Sequence, residues 1–294
     1  MTTAQLEPSR TGPIGPVDPI APRLTSPLRG LFDVYVTEMR IAIAQQIQYR
    51  VSNYFYMIGM IAEPVIYLVV WKTIANSHGG SVQGITPGEF AAYYIVWTLV
   101  RNINIVFTPY GWEERIREGQ LSAQLLRPLH PIHYDLADFA GGKIVWVLLY
   151  LPIAFALTLV FKPTLHVSAL EIVVFFFAIW GAYVIRTMFL WLLGMITFWT
   201  TRGSAIFETY MMAELLLSGR LVPLKLMPNW AESLANWMPF KWTFYFPIEV
   251  LVGNMSGASL LGGLGMQVFW ATVGGAIVWI CWRSSAKHYT AVGN

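Results

Sequence analysis

The chain has 294 residues, 56% of them hydrophobic, 15% aromatic and only 12% charged, which is too apolar for a soluble domain and predicts an all-α protein crossing a membrane several times. That length accommodates several spans of about 20 residues but not a further soluble domain, so any energy source is expected on another chain. The formal charge is only +3, and the single cysteine, Cys281, precludes an intrachain disulfide or a Cys-based metal site.

Residues 1–27 carry Pro8, Pro13, Pro16, Pro19, Pro22 and Pro27 with little apolar content, which predicts a disordered cytosolic tail. Over 28–50, Leu28, Phe32, Val36, Met39, Ile43 and Ile47 recur at helical spacing while most charged residues fall elsewhere. This predicts an amphipathic helix lying in the interface plane. Six spans are then predicted: Val51 to Trp71, Phe90 to Tyr110, Gly141 to Phe161, Glu171 to Trp199, Ser204 to about Gly219, and Ala258 to Trp282. Thr86-Pro87-Gly88 before Glu89 reads as a helix start, Arg202-Gly203 as a tight return, and Gly274-Gly275 as a close-packing site. The segment 220–247 mixes apolar residues with Pro223, Pro228, Pro239 and Pro247 and with Trp230, Trp237 and Trp242, a pattern that suits broken half-helices.

Between the second and third spans lies the only long charged stretch, Trp112 to Ile132. Glu113, Glu114, Arg115, Arg117 and Glu118 surround Ile116 and predict a solvated first turn. Gly119 permits close approach, Leu121, Leu125 and Leu126 form a narrow apolar stripe, and Arg127 and Pro128 stop the helix. The expected element is one short rod that docks a soluble partner; the bland alternative is a loop helix covering span ends. His130 and His133 follow at i, i+3, too few ligands for a metal, and read as a solvated helix start.

In the six-span layout Arg10, Arg23, Arg29, Arg40, Arg50, Arg115, Arg117, Arg127, Lys143, Arg202, Arg283 and Lys287 fall on one side, and Lys72, Lys162, Arg220, Lys225 and Lys241 on the other. The excess places both termini and the charged rod in the cytosol. Four charges fall near mid-span: Glu63, Arg101, Arg186 and Glu214. An unpaired charge at that depth costs at least about 2.5 kcal/mol, so pairing across helices is expected, with Arg101 the neighbour chosen for Glu63. The 13 Trp, 14 Tyr and 17 Phe serve mainly belts and packing, while Tyr56, Met60, Tyr67 and Trp97 are candidates for a surface that takes a flat apolar or cationic solute.

An amphipathic amino-terminal helix, six spans, the segment E-x-x-R-x-x-x-L-x-x-x-L-L-R-P (114–128) and the segment SGRLVPLKLMPNW (218–230) together resemble the ABC-2 type permease family, nearest the short permeases known as viologen or multidrug exporters. The resemblance spans roughly 28–285. It implies a membrane subunit, 51–285, of an ATP-driven exporter in the cell membrane, with a coupling helix at 112–128 and an outer re-entrant segment at 220–247. It carries Glu114, Arg117, Gly119, Leu121, Leu125, Arg127 and Pro128 over as ATPase-contacting residues, and Pro223, Pro228, Trp230, Trp237 and Trp242 as the outer gate. Two ATPase subunits holding ATP and Mg, a second permease and membrane lipid are the implied partners; no nucleic acid is. This chain has no phosphate-loop motif of its own, so no cofactor and no catalysis are expected on it. A membrane-embedded lipid-modifying transferase and an ion-coupled secondary transporter are the alternatives, but neither intramembrane His or paired carboxylates nor an internal repeat is visible.

Overall fold

The computed structural model describes residues 26–106, 109–200, 203–253, 255–285 and 287, with 109, 110, 113, 117 and 204 described by backbone alone. The expected disordered tail lies outside the described residues up to residue 25, as does Arg202 of the predicted return. Every named element among the described residues is helical. In chain order they are α1 (Pro27–Gln48), α2 (Arg50–Ser77), α3 (Pro87–Asn104), α4 (Pro109–Arg117), α5 (Gln120–Leu125), α6 (Pro131–Phe161), α7 (Ala169–Met195), α8 (Gly203–Leu217), α9 (Asn229–Trp237), α10 (Pro239–Thr243), α11 (Tyr245–Val252) and α12 (Gly257–Ser285). Four stretches are long and apolar enough to cross a membrane: Arg50–Ser77, Pro131–Phe161, Ala169–Phe198 and Gly257–Ser285. The other two predicted spans, α3 with 18 residues and α8 with 15, do not belong to that group.

Instead, α3 is the core. Thirteen of its 18 residues are buried, on every side of the helix, which identifies an element surrounded by protein. It starts where the sequence says: Thr86 accepts from the Glu89 amide, the Glu89 carboxylate accepts from Thr86, and Pro87 sits in the first turn. A second capping box, Ser168 with Glu171, starts α7. Around α3, α2 runs antiparallel, with Trp71 stacked on Phe90 at 5.3 Å and Tyr67 edge-on to Trp97 at 6.3 Å. Tyrosine hydroxyls then lock the bundle through backbone carbonyls: Tyr93 to Gly219, Tyr94 to Leu221, and Tyr150 of α6 to Ile95. Gly219 has φ +78°, so the turn after α8 takes a left-handed residue where glycine is at ease.

The amino-terminal helix forms close to the predicted range and packs along α6. Tyr35 meets His133 at 3.0 Å, Met39 and Ala42 lie on Gly141, and Gln46 accepts from Trp146 at 3.2 Å, so the contacts advance together along α1 and α6. α1 therefore follows the first half of α6, because Gly141 lets the α1 backbone come against it. At the opposite edge α12 packs on α7, with Gly274 facing Met188 and Gln267 donating to the Ala178 and Trp242 carbonyls at 2.8 Å each.

A side chain at 141 would begin 2.5 Å from the Met39 carbonyl oxygen and 2.7 Å from its Cα, and backbone cannot swing aside. Gly141→Ala is therefore expected to lower the thermal midpoint of the purified protein, whereas Gly59→Ala, which meets nothing within 4 Å, holds or raises it. Equal midpoints would show that the α1–α6 contact is loose.

Candidate functional site

The charges expected at mid-span converge. Pro64 lacks the amide that would bond the Met60 carbonyl four residues back, and Arg101 supplies that donor, its Nη1 lying 3.3 Å from Met60 O. The same nitrogen is 2.8 Å from Glu63 Oε2. On the far side of α3, Arg186 of α7 holds Glu214 of α8 through Nε at 2.7 Å and Nη2 at 3.0 Å, both residues buried. Arg186 also donates to the Asn104 carbonyl at the end of α3, where a helix leaves carbonyls without partners and favours a cation.

Arg220 joins the two pairs. Counted from sequence as an outer-side loop residue, it instead turns inward, 3.3 Å from Glu214 Oε2 and 3.9 Å from Glu63 Oε1, over the rings of Trp97 and Phe244. The reason is local: Gly219 reverses the chain, and Tyr93 and Tyr94 hold the carbonyls on either side of Arg220. The network thus has three arginines and two glutamates, not the two of each that the spans alone present. Lys143 is likewise no surface residue. It is buried and donates to the Ile105 carbonyl. Removing Arg220, Lys143 and the buried Arg115 from the count of surface charges leaves the side carrying the termini still the more basic.

The charged stretch after α3 is two helices, not one rod. Gly119 adopts φ +69°, ψ 9° between α4 and α5, and a Cβ there would meet nothing within 4 Å, so its glycine serves the left-handed turn rather than a close approach. The first turns are also not simply solvated. Arg115 is buried and bidentate to Asp135 of α6 at 3.0 and 3.1 Å, and Asp135 accepts the Trp191 indole at 2.8 Å. Trp112 packs against Trp191 at 4.7 Å and over Gly194. The predicted leucine stripe divides: Leu121 is buried, Leu125 is 38% exposed and Leu126 is 89% exposed. Glu114 is exposed, the Arg117 side chain lies outside the described residues, Pro128 is exposed beyond the end of α5, and Arg127 meets Glu38 at 3.6 Å and the Tyr134 ring. His130 caps α6 by accepting from Ile132 at 3.3 Å, and burial, assisted by His133, pulls it down to about 4, so it is neutral at neutral pH and not a solvated group.

Of the remaining candidates, Tyr56, Met60 and Tyr67 share one stripe of α2 with Glu63. Tyr67 donates to Glu63 at 3.3 Å and lies edge-on to Trp97, which is fully buried, while Tyr56 is 58% exposed and packs on Trp146. Three of the four therefore border the charge network and Tyr56 does not. In the 220–247 segment Pro223 is buried, Pro228 precedes α9, and Trp230 and Trp237 are 71% and 78% exposed. Trp242 instead turns toward Phe246 at 5.7 Å. Sequence reasoning missed Asp135, Arg220 and Lys143. An acid inside the apolar run of α6, one helix away from a Trp-x-x-Arg segment, was the available signal for Asp135.

A helical bundle with four helices long and apolar enough to cross a membrane, and with its buried charges largely paired across helices, has the build of a membrane protein. Residues 60–293 match the family described as ABC-2 family transporter protein, and the chain belongs to that family. It is accordingly the membrane component of an ABC transporter, a class that generally works with an ATPase subunit and is not itself catalytic. No curated protein matches the chain in sequence.

Glu214→Ala leaves Arg186 buried without its carboxylate, a change that costs about 3–5 kcal/mol and is expected to lower the folded yield sharply. In a charge-exchange cycle, Arg101→Glu alone should lower yield, and Glu63→Arg with Arg101→Glu should restore it only in part. The exchange brings a guanidinium at position 63 toward Arg220, 3.9 Å from the present carboxylate. Full restoration would remove Arg220 from the network.

Proposed function

We propose that the chain is the permease of an ATP-driven exporter that moves a hydrophobic or amphipathic solute out of the cytosol or inner leaflet of the cell membrane. Two such permeases, identical or related, enclose the pathway, and two ATPase subunits hold ATP and Mg. In this reading α3 and α8 complete six spans, both termini are cytosolic, α1 accompanies the cytosolic end of α6, and α9 to α11 form the outer re-entrant gate with Pro223, Pro228, Trp230, Trp237 and Trp242.

The observation that supports it most is the build of the α4–α5 element. Its inner face is fastened to α6 and α7 through Arg115, Asp135, Trp191 and Trp112, while Glu114, Leu125 and Leu126 are left on the surface. A force applied to that surface is passed to α6 through a bidentate ion pair and to α7 through Trp191 and Trp112, and side-chain flexibility absorbs little of it. Glu114, Arg117, Gly119, Leu121, Leu125, Arg127 and Pro128 form this coupling element in the proposal, with Gly119 setting the angle between its halves. Closure of the ATPases would then reach the Glu63, Arg101, Arg186, Glu214 and Arg220 network, whose partners exchange between inward- and outward-open states beside Met60, Tyr67 and Trp97. Tyr56 lies at the cytosolic end of the same stripe.

Gly119→Val forces a β-branched residue into the left-handed region without creating a clash. It is expected to abolish substrate-stimulated ATP hydrolysis in the reconstituted complex while membrane insertion is unchanged, and Leu126→Asp should weaken retention of the ATPase subunits on purification. Unaltered stimulation and retention in both variants would overturn the assignment. For sidedness, in a Cys281→Ser background, a cysteine at Lys225 should react with an impermeant thiol reagent from outside and one at Gln120 only after permeabilisation; reversed labelling would invert the topology.

A further inference from the structure

Apart from the charge network, α1, α2, α3 and α6 enclose a cavity of about 210 Å³, the size of a small polar head rather than of a drug-like molecule. Two buried residues that line it have bonding capacity left over. Lys143, 5% exposed, donates to the Ile105 carbonyl, and among the described residues no carboxylate lies within 4 Å of its ammonium. Asn102, 2% exposed, gives its amide nitrogen to the Thr98 carbonyl at 2.8 Å, and its Oδ1 receives no hydrogen bond. A buried ammonium with no anion in contact, attracted only from a distance by Asp138, and a buried amide oxygen without a donor each cost free energy, and one bound molecule carrying both complements lowers both costs. Asp138 adds a carboxylate at the exposed rim of the same cavity, with no ion-pair partner among the described residues.

We propose that this cavity binds a phosphorylated primary amine, its phosphate on Lys143 and its ammonium between Asp138 and Asn102 Oδ1. The pattern is selective. Asn102 Oδ1 needs a hydrogen to accept, which a trimethylated choline head does not carry, and Asp138 needs a cation, which a glycerol head lacks. The same chemistry comes from two sources, the head of an ethanolamine phospholipid or free phosphoethanolamine. Acyl chains have a way out beside Tyr56, where Phe55, Tyr56 and Ile58 of α2 are exposed. The site stands on its own geometry and does not depend on the transport reading.

The test uses the full purified chain. Relipidated with equal amounts of ethanolamine, choline and glycerol phospholipids and read by native mass spectrometry, it should retain the ethanolamine lipid about tenfold over either other, the discrimination of one hydrogen bond to a charged group. Free phosphoethanolamine is titrated into delipidated protein by calorimetry in parallel. Lipid preference without binding of the free amine identifies the membrane source, and binding of the free amine identifies the soluble one. Asp138→Asn lies on the exposed rim, where the fold does not depend on it, and should abolish whichever signal is seen; Lys143→Met should do the same. Equal retention of the three lipids with no binding of free phosphoethanolamine overturns the proposal, and so does an undiminished signal in Asp138→Asn.

Discussion

Arg186 is the residue whose charge the rest of the bundle must accommodate. A guanidinium does not deprotonate at any physiological pH, so burial leaves only neutralisation in place. Glu214 provides it, which fixes the height of α8 against α7, and the Asn104 carbonyl takes a further donor, which fixes the end of α3 against both. Once Glu214 stands there, Arg220 is drawn in, the chain must turn at Gly219 to bring it, and the α3 tyrosines gain their carbonyl partners. One buried charge thereby sets the registry of three helices and a turn. Such a pair adds little net stability against an apolar substitute, and its value here is positional.

The same arithmetic explains why α3, buried along most of its length, gathers cations at its carboxyl end. A helix enclosed by protein has no water for its last carbonyls, and those of Asn104 and Ile105 are met by Arg186 and Lys143, cations contributed by two different neighbours. Its amino end is closed by the Thr86–Glu89 box, so both ends of the core helix are satisfied by side chains. Pro64 is the parallel case in α2. The carbonyl that the proline releases is taken up by Arg101, so a break within an apolar helix becomes an attachment point.

How much of this was legible follows from the range of each interaction. The helix start at Thr86 spans three residues and can be read directly, as can the apolar runs within α2, α6, α7 and α12, although α6 begins ten residues before the span read from its apolar run because its first turns are polar. The need for Glu63, Arg101, Arg186 and Glu214 to find partners is also readable, because a charge in an apolar run carries its cost wherever the helix lies. What the sequence hides is direction. Arg220 follows a span and looks like a loop cation until the left-handed turn at Gly219 is known, and Arg115 sits in a run of alternating charges that gives no sign of the one residue aimed at Asp135. Gly119 shows the same ambiguity at the level of one dihedral angle. Glycine is equally suited to a close approach and to positive φ, and only the empty space around its Cα position decides for the turn.

The two polar regions beside α3 differ in a way that bears on their roles. In the Arg186 network each acid faces at least two bases, so the carboxylates are held, and loss of one arginine contact leaves each glutamate with another. At Lys143 the ammonium has a carbonyl dipole and the face of the Phe139 ring, and among the described residues Asp138 attracts it only from beyond ion-pair distance, so the charge is incompletely compensated by direct contacts. A network that is rich in internal partners can rearrange internally, whereas a cation with too few is completed from outside. Arg186 and Lys143 cap the neighbouring carbonyls of Asn104 and Ile105, so in the proposed reading an occupant of the Lys143 cavity would bear on the same helix end that Arg186 holds.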